Sequence, residues 1–300
     1  MQPHDFLRQA TLGVSGHLKK YSAMYPDQYV SDSMSLLSSA KEAVKFVMPT
    51  DGKLFDTKLA GLSENHRLPY EKILIEYECK SPGGMSSEVF GERATRPANK
   101  RIVFAEQYEK TIAVASIVSF KDPYGNDVWT VQPYISEVIP ANLVDGANIE
   151  VTAPEGINTP VISQFLVDHF DMGGHAKKTF GDAWKEHAYF DMLDEVNCVL
   201  NLMEALSCKN VSAEQLPVKN NKLAQRKKGA LPYDLYHVLV VNSRSGEKSA
   251  DQGGSHRSPR EHIRRGHIRR LPSGNIWVNS TIVNHGNHGK VHKVYALEAA

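Results

Sequence analysis

Two strand-forming runs joined by one compact turn constrain the fold of this chain more than any other feature of its sequence. In a strand, successive side chains of residues 111–120 would lie on alternate sides. This places Ile112, Val114, Ser116, Val118 and Phe120 on one side. Residues 121–127 are dense in turn formers, and residues 128–132 return at once to strand formers. This order predicts a β-hairpin, so we expect an antiparallel sheet in the first half of the chain.

Further strands are predicted on both sides of a helical middle. Residues 72–78 are polar at the ends and apolar at the centre, and residues 101–104 and 233–241 are also rich in strand formers. Strands followed by helices and then by strands, without regular alternation, are typical of an α+β fold. We therefore predict an α+β protein with mainly antiparallel sheets and a few packed helices.

The helices are placed by apolar spacing and by start signals. One helix is predicted to begin at residues 31–33 and to continue through Val47, and another to begin at Thr159–Pro160 and run to Leu166. Residues 169–181, with two histidines and adjacent glycines, are interpreted as a mobile loop. The longest helix is predicted to extend to Leu206, with Asn210 in the left-handed conformation just past its end.

The domain organisation follows from the same zones. Pro154 and Gly156 mark a composition boundary, so residues 1–155 are predicted to form an antiparallel-sheet-rich region. Residues 156–300 are predicted to contain a helical segment and a basic C-terminal sheet. The alternative is that both regions pack as one compact domain.

Composition excludes several classes of protein. Of 300 residues, 23% are charged and 41% are hydrophobic, which is the balance of a globular chain rather than a disordered one. No apolar run approaches the ~20 residues that a membrane-spanning helix needs, and no secretory signal is visible at the N-terminus. Three irregularly spaced cysteines do not form a disulfide framework, so we expect a cytoplasmic protein.

The charge is unevenly distributed along the chain. The net charge is +1, but residues 219–270 contain thirteen Lys and Arg against four acids, a local charge of +9 that leaves −8 on the rest. A basic segment on an otherwise acidic protein favours an anionic partner. The alternative is a solvated surface on which the charges merely cluster.

The centre of this basic region is the stretch from Ser255 to Val283, which holds three histidines and six arginines. Two similar units, residues 262–265 and 267–270, flank Gly266, and the turn signal at residues 272–275 leads into a second strand-forming run. These features predict a hairpin that carries cations along one arm. A bulge at Gly266 is needed to bring His262 and His267 to one face, because side chains alternate along a strand.

Two chemical roles are open for this hairpin. His262 and His267 have the residue type for an acid–base pair in metal-independent RNA cleavage, with Arg264 and Arg269 stabilising the phosphorane. Alternatively, the histidines are structural and the arginines contact phosphates or acids of the same fold. Nucleic acid, RNA or DNA, is the predicted partner, and a host or phage protein is the alternative; the predicted nucleic-acid-binding residues are Lys222, Arg226, Lys227, Lys228, Arg257, Arg260, Arg265, Arg270 and Trp277.

No cofactor is predicted from the sequence. His285, His288 and His292 have a spacing that reaches one zinc ion, but no cysteine or carboxylate accompanies them. A flexible polar turn explains these histidines better. Neither a nucleotide-binding glycine loop nor a hydrolase nucleophile elbow is present in the sequence.

The quoted motifs support a resemblance. The pattern H-x-R-R-G-H-x-R at residues 262–269, followed by G-x-x-W-V at 274–278, resembles an uncharacterised protein family of tailed bacteriophages and other mobile elements. Residues 226–238 and 67–76 are also similar to that family. The resemblance implies a phage or mobile-element origin and the cytoplasm of an infected bacterium. It implies no activity, so the alternative to a nucleic-acid-binding protein is a non-enzymatic interaction protein that docks an acidic partner: a host-takeover or anti-defence factor, or a virion component.

Overall fold

The computed structural model describes most of the chain. The described residues are 5–54, 67–79, 98–121, 125–139, 149–151, 161–163, 168–216, 235–241, 262–264, 267–278 and 281–283. Side chains are described for all of these except 149–151, 161–163, 262–264, 267, 270 and 281–283. The helices are α1 (Phe6–Tyr21), α2 (Asp27–Glu42), α3 (His175–Phe180) and α4 (Trp184–Leu206).

Ten strands form the first part of the β structure, and four more form a separate ribbon. The first ten are β1 (Val44–Val47), β2 (Lys72–Glu78), β3 (Lys100–Tyr108), β4 (Thr111–Lys121), β5 (Asp127–Val138), β6 (Ile149–Val151), β7 (Val161–Ser163), β8 (Asp168–Asp171), β9 (Val211–Gln215) and β10 (Tyr236–Val241). Eight of them form one sheet in the order β8-β5-β4-β3-β2-β1-β10-β9, while β6 pairs with β7. Within the large sheet β1 is parallel to β2 and β10, and the other pairs are antiparallel. The α+β prediction is confirmed.

Helices cover both faces of the large sheet. On one face α1 and α2 bury an apolar stripe that includes Leu7, Ala10 and Val14 against Ile102 and Trp129 of the sheet. On the other face α4 packs through residues such as Met192, Val196, Val199 and Met203. The sheet is therefore the middle of three layers, and its central strands are buried on both sides.

The N-terminal elements differ from the prediction. Residues 44–47 form β1 instead of the last turn of a helix, because the buried strand-forming residues Phe46 and Val47 pair with β2, and β1 also pairs with β10. Helix α2 accordingly ends at Glu42. The preceding helix α1 has its buried residues at helical spacing, 6, 7, 10, 14 and 18.

Two predictions in the middle of the chain are wrong. Val161–Ser163 is a strand paired with Ile149–Val151 rather than a helix, since its β-branched residues pair locally. The predicted loop at 169–181 contains the edge strand β8 and helix α3 instead. The β4–β5 hairpin, in contrast, is confirmed, with Lys121 paired to Asp127.

None of the helices in the described part of the chain has the length and apolar character that a bilayer crossing requires. The division of the chain at residue 155 stays a prediction. Strands from both sides of that position, β1 to β5 and β8 to β10, share the eight-stranded sheet.

Candidate functional site

The predicted basic hairpin forms two antiparallel strand pairs outside the eight-stranded sheet, which together are called the ribbon. Its strands are β11 (His262–Arg264), β12 (His267–Leu271), β13 (Gly274–Val278) and β14 (Thr281–Val283), with β11 paired to β14 and β12 paired to β13. His262 lies opposite Val283, and His267 lies opposite Val278. Equal spacers of two residues, 265–266 and 279–280, separate the two ladders. The bulge predicted at Gly266 lies outside the described residues, so a shared face for His262 and His267 stays a prediction.

The turn half of the ribbon is attached to the corner between α4 and β9. Asn210 donates from Nδ2 to the Trp277 carbonyl oxygen at 2.7 Å and accepts the Trp277 N–H at Oδ1 at 2.6 Å. The backbone N–H of Lys209 donates to the Asn275 carbonyl oxygen at 2.9 Å. Asn210 does not adopt the positive φ predicted for it. Its contribution to this corner comes instead from its side chain, through the two bonds to Trp277.

The structure places only part of the predicted site. Arg269 is exposed on β12, opposite Ile276, and Trp277 is half-buried on β13. His262, Arg264, His267 and Arg270 lie in the ribbon strands, but their side chains are outside the described part. The predicted residues that lie wholly outside the described residues are Lys222, Arg226, Lys227, Lys228, Arg257, Arg260, Arg265, His285, His288 and His292. The proposed acid–base pair and phosphate contacts therefore stay predictions.

Among the described residues, no group of three or more His, Cys, Asp and Glu side chains has the arrangement to hold a metal ion. The histidines at 285, 288 and 292 are not part of that set. The zinc hypothesis for them stays untested.

A second polar cluster, which sequence reasoning missed, lies between the sheet and α4. The Arg101 guanidinium donates from Nη1 to Glu195 Oε1 at 2.5 Å, and the Ser116 hydroxyl donates to the same oxygen at 3.2 Å. Within this described cluster, Glu195 Oε2, Arg101 Nε and the Tyr77 hydroxyl have no hydrogen-bond partner. Burial raises the pKa of Glu195 while Arg101 opposes that shift. The signal in the sequence was a charged residue, Glu195, among the apolar residues of α4.

The same interface contains further buried titratable groups. Burial raises the pKa of Asp191 to about 6, with Glu195 adding to the shift and Arg101 opposing it. On β5 the Ser136 hydroxyl lies 2.9 Å from His169 Nδ1, and burial lowers the pKa of His169 to about 4. These groups join the strands to α4 and to the edge strand β8. Their contacts support a structural role, since they link packed elements of the core.

On the opposite face of the sheet, one carboxylate joins three distant segments. Glu76 is fully buried and accepts the N–H of Phe6 at 3.2 Å, the N–H of Leu7 at 2.8 Å and the hydroxyl proton of Tyr236 at 2.7 Å. The first N–H groups of a helix have no partner within the helix, so this carboxylate supplies one for α1. Burial raises the pKa of Glu76 to about 7, although all three hydrogen bonds oppose the shift.

The scaffold and the ribbon together define an α+β protein that presents a basic two-stranded element beside a closed core. A family model matches residues 67–285, which is more than half of the chain. The chain belongs to the AcrVA2-like family, described as the anti-CRISPR type V subtype A2 family. This agrees with the phage or mobile-element origin that the sequence resemblance implies, whereas the histidine–arginine motif itself stays a prediction. Searches among curated proteins and solved structures gave no match.

Proposed function

We propose that this protein is an anti-defence factor of a phage or mobile element that acts inside the infected cell. Its target is a type V CRISPR system, and it acts by docking onto a protein of that system. The observation that carries this proposal is the family match, which extends from the residues before β2 to just past β14. The matched region thus includes both the core of the sheet and the ribbon.

The ribbon is the surface best suited to docking. It lies outside the eight-stranded sheet and exposes Arg269, and all but the last residue of its first arm, residues 262–271, belongs to the segment 219–270 with a local charge of +9. Arginine is enriched at protein interfaces, and a basic patch accelerates encounter with an acidic surface. An acidic surface on the CRISPR protein is therefore the expected counterpart.

Binding to a purified type V effector protein tests the proposal. The effector is presented both without its guide RNA and loaded with it, and the guide RNA alone is a separate sample. We expect a complex with the protein whose affinity falls at least about tenfold in R269E, because the variant places a repulsive charge at the interface. The matched control is K19E, which makes the same change in charge at an exposed residue of α1, outside the matched region.

Two results would overturn the proposal. One is the absence of a complex with either form of the effector together with no protection of phage in cells that carry the system. The other is a complex that nuclease treatment abolishes, which would restore nucleic acid as the partner.

Incubation of the protein with RNA and DNA, with and without divalent metal, is a separate test of the predicted cleavage by His262 and His267. The proposed docking function requires no cleavage.

A further inference from the structure

We propose that Asn210 is the positioning residue that sets the direction of the basic ribbon. This inference rests on the proposed docking function, because it concerns how the docking surface is presented. Asn210 lies three residues beyond the Ser207 that follows α4, directly before β9, and its side chain bonds both backbone groups of one ribbon residue. No part of this role was visible in the sequence, where Asn210 is separated from Trp277 by 67 residues.

The geometry of the contact explains why one side chain suffices. The carboxamide of Asn210 offers an acceptor and a donor at the spacing of a backbone peptide group, and Trp277 uses both, at 2.6 and 2.7 Å. Two bonds to the same residue fix the position of β13 and also its rotation about the strand axis.

Neighbouring contacts place the end of the ribbon on the same corner. The Lys209 N–H bonds the Asn275 carbonyl oxygen at 2.9 Å, and Asn275 Nδ2 donates a longer bond, 3.4 Å, to the Ser207 hydroxyl. Gly274 has φ +117, and a Cβ built there lies 2.5 Å from Lys209 Cε. The turn of the ribbon therefore rests directly over Lys209.

The energetic need for such an anchor follows from the topology. A ribbon of two strands is only marginally stable in water by itself, and β12 and β13 pair with each other rather than with the large sheet. The corner is a rigid base, since α4 is buried along the sheet and β9 is paired with β10. Arg269 lies opposite Ile276, the residue next to Trp277, so the bonds at Trp277 restrain the strand pair that carries Arg269.

Hydrogen exchange tests the anchor without any partner. In N210A the exchange of the Trp277 amide is expected to accelerate at least about tenfold, because its acceptor is removed. N210D keeps an acceptor for that amide but cannot donate to the Trp277 carbonyl, so intermediate exchange is expected. S207A is the matched control: it removes the 3.4 Å bond from Asn275 and the 2.7 Å bond from the Ser207 hydroxyl to the Glu204 carbonyl oxygen, but neither bond to Trp277, so exchange at Trp277 should change little. Unchanged exchange at Trp277 in N210A would overturn the inference.

Binding to the effector protein then tests the consequence for docking. N210A removes no charge, so we expect a lower affinity with the same dependence on salt concentration, whereas R269E should change the salt dependence itself. A general loss of folding is monitored by the exchange of β2 and β3 amides, which should stay protected. If exchange at Trp277 rises but affinity is unchanged, Asn210 does not position the docking surface and the proposed function stands. If the wild-type protein forms no complex, the proposed function fails and the positioning role for docking fails with it, while exchange still reports on the anchor.

Discussion

The Arg101 guanidinium lies 2.5 Å from the Glu195 carboxylate, at the interface where β3 meets α4. Glu195 is fully buried, and Arg101 is the cation that compensates its charge. A buried ion pair of this kind adds little net stability, but the loss of one partner leaves an uncompensated charge in the core. The pair therefore makes the position of α4 on the sheet sensitive to single substitutions.

We expect R101A to lower the free energy of unfolding by about 3 kcal/mol, since it strands the Glu195 carboxylate. Denaturant titration measures this change. The double variant R101M/E195L buries no charge and should be more stable than R101A. The control is D194A: Asp194 lies 4.0 Å from the same guanidinium but is 54% exposed, so less than about 1 kcal/mol is expected. Equal losses in R101A and D194A would contradict this interpretation.

Gly173, in the β8–α3 connection, lies against the backbone of α2. Its φ is +58, and a Cβ built there lies 2.3 Å from the Tyr29 backbone nitrogen. G173A should therefore destabilise the protein by on the order of 3 kcal/mol or more, because the main chain must move. Gly174 has φ +71 with nothing within 4 Å of its Cβ, so G174A isolates the conformational strain alone, about 1 kcal/mol. Thermal unfolding of both variants gives the comparison, and similar losses would argue against a steric contact with α2.

Glu76 makes stability depend on pH in a defined direction. Its pKa in the folded protein is raised to about 7 from an ordinary value of 4.5, so the folded state binds this proton more tightly than the unfolded state. The contribution of protonated Glu76 to the stability of the fold is fully present below pH 4.5, and it is lost as the pH rises towards and through 7. In E76Q this loss of stability should disappear. The slope of the free energy of unfolding against pH should therefore change by up to about 1.4 kcal/mol per pH unit.

The comparison between E76Q and the wild-type protein is needed because other groups titrate nearby in pH. The stabilising contribution of Asp191, like that of Glu76, is lost as the pH rises. His169 has the opposite effect: because its pKa in the folded protein is lowered to about 4, its contribution to the stability of the fold grows as the pH rises from 4 to 6.5. Denaturant midpoints between pH 4.5 and 7.5 for both proteins separate the Glu76 contribution. Identical slopes would show that the carboxylate titrates normally.

The bond between Ser136 and His169 supplies a further stability test. S136A removes the partner of His169 Nδ1 in a buried position, so a loss of about 1–2 kcal/mol is expected. S119A is the matched control, because the buried Ser119 hydroxyl, in the part of the chain that the structure describes, has no hydrogen-bond partner. Equal free energies of unfolding for S136A and wild type would show that the bond adds nothing.

Local patterns in the sequence determined the elements whose residues carry a regular signal. The β4–β5 hairpin, the strand at 72–78, the long helix that ends at Leu206 and the hairpin at 262–283 all follow from alternation, helical spacing or turn formers. These signals are local, so a single sequence contains them. The basic character of the ribbon is likewise a property of composition alone.

Tertiary structure decided where the same local signals were overruled. Residues 44–47 continue a helical pattern, yet they form β1 because their pairing with β2 and β10 completes the sheet. Residues 169–181 contain glycines and histidines typical of a loop, yet β8 pairs with β5 and α3 follows it. Pairing energy between distant segments is invisible to a window of neighbouring residues.

The polar contacts were decided in the same way. Glu76 with Tyr236, Arg101 with Glu195, and Asn210 with Trp277 are separated in sequence by 160, 94 and 67 residues. Nothing in the local pattern distinguishes these residues from solvated surface polar groups. Burial gives them their roles, because a polar group removed from water must find a partner wherever the fold brings one within reach.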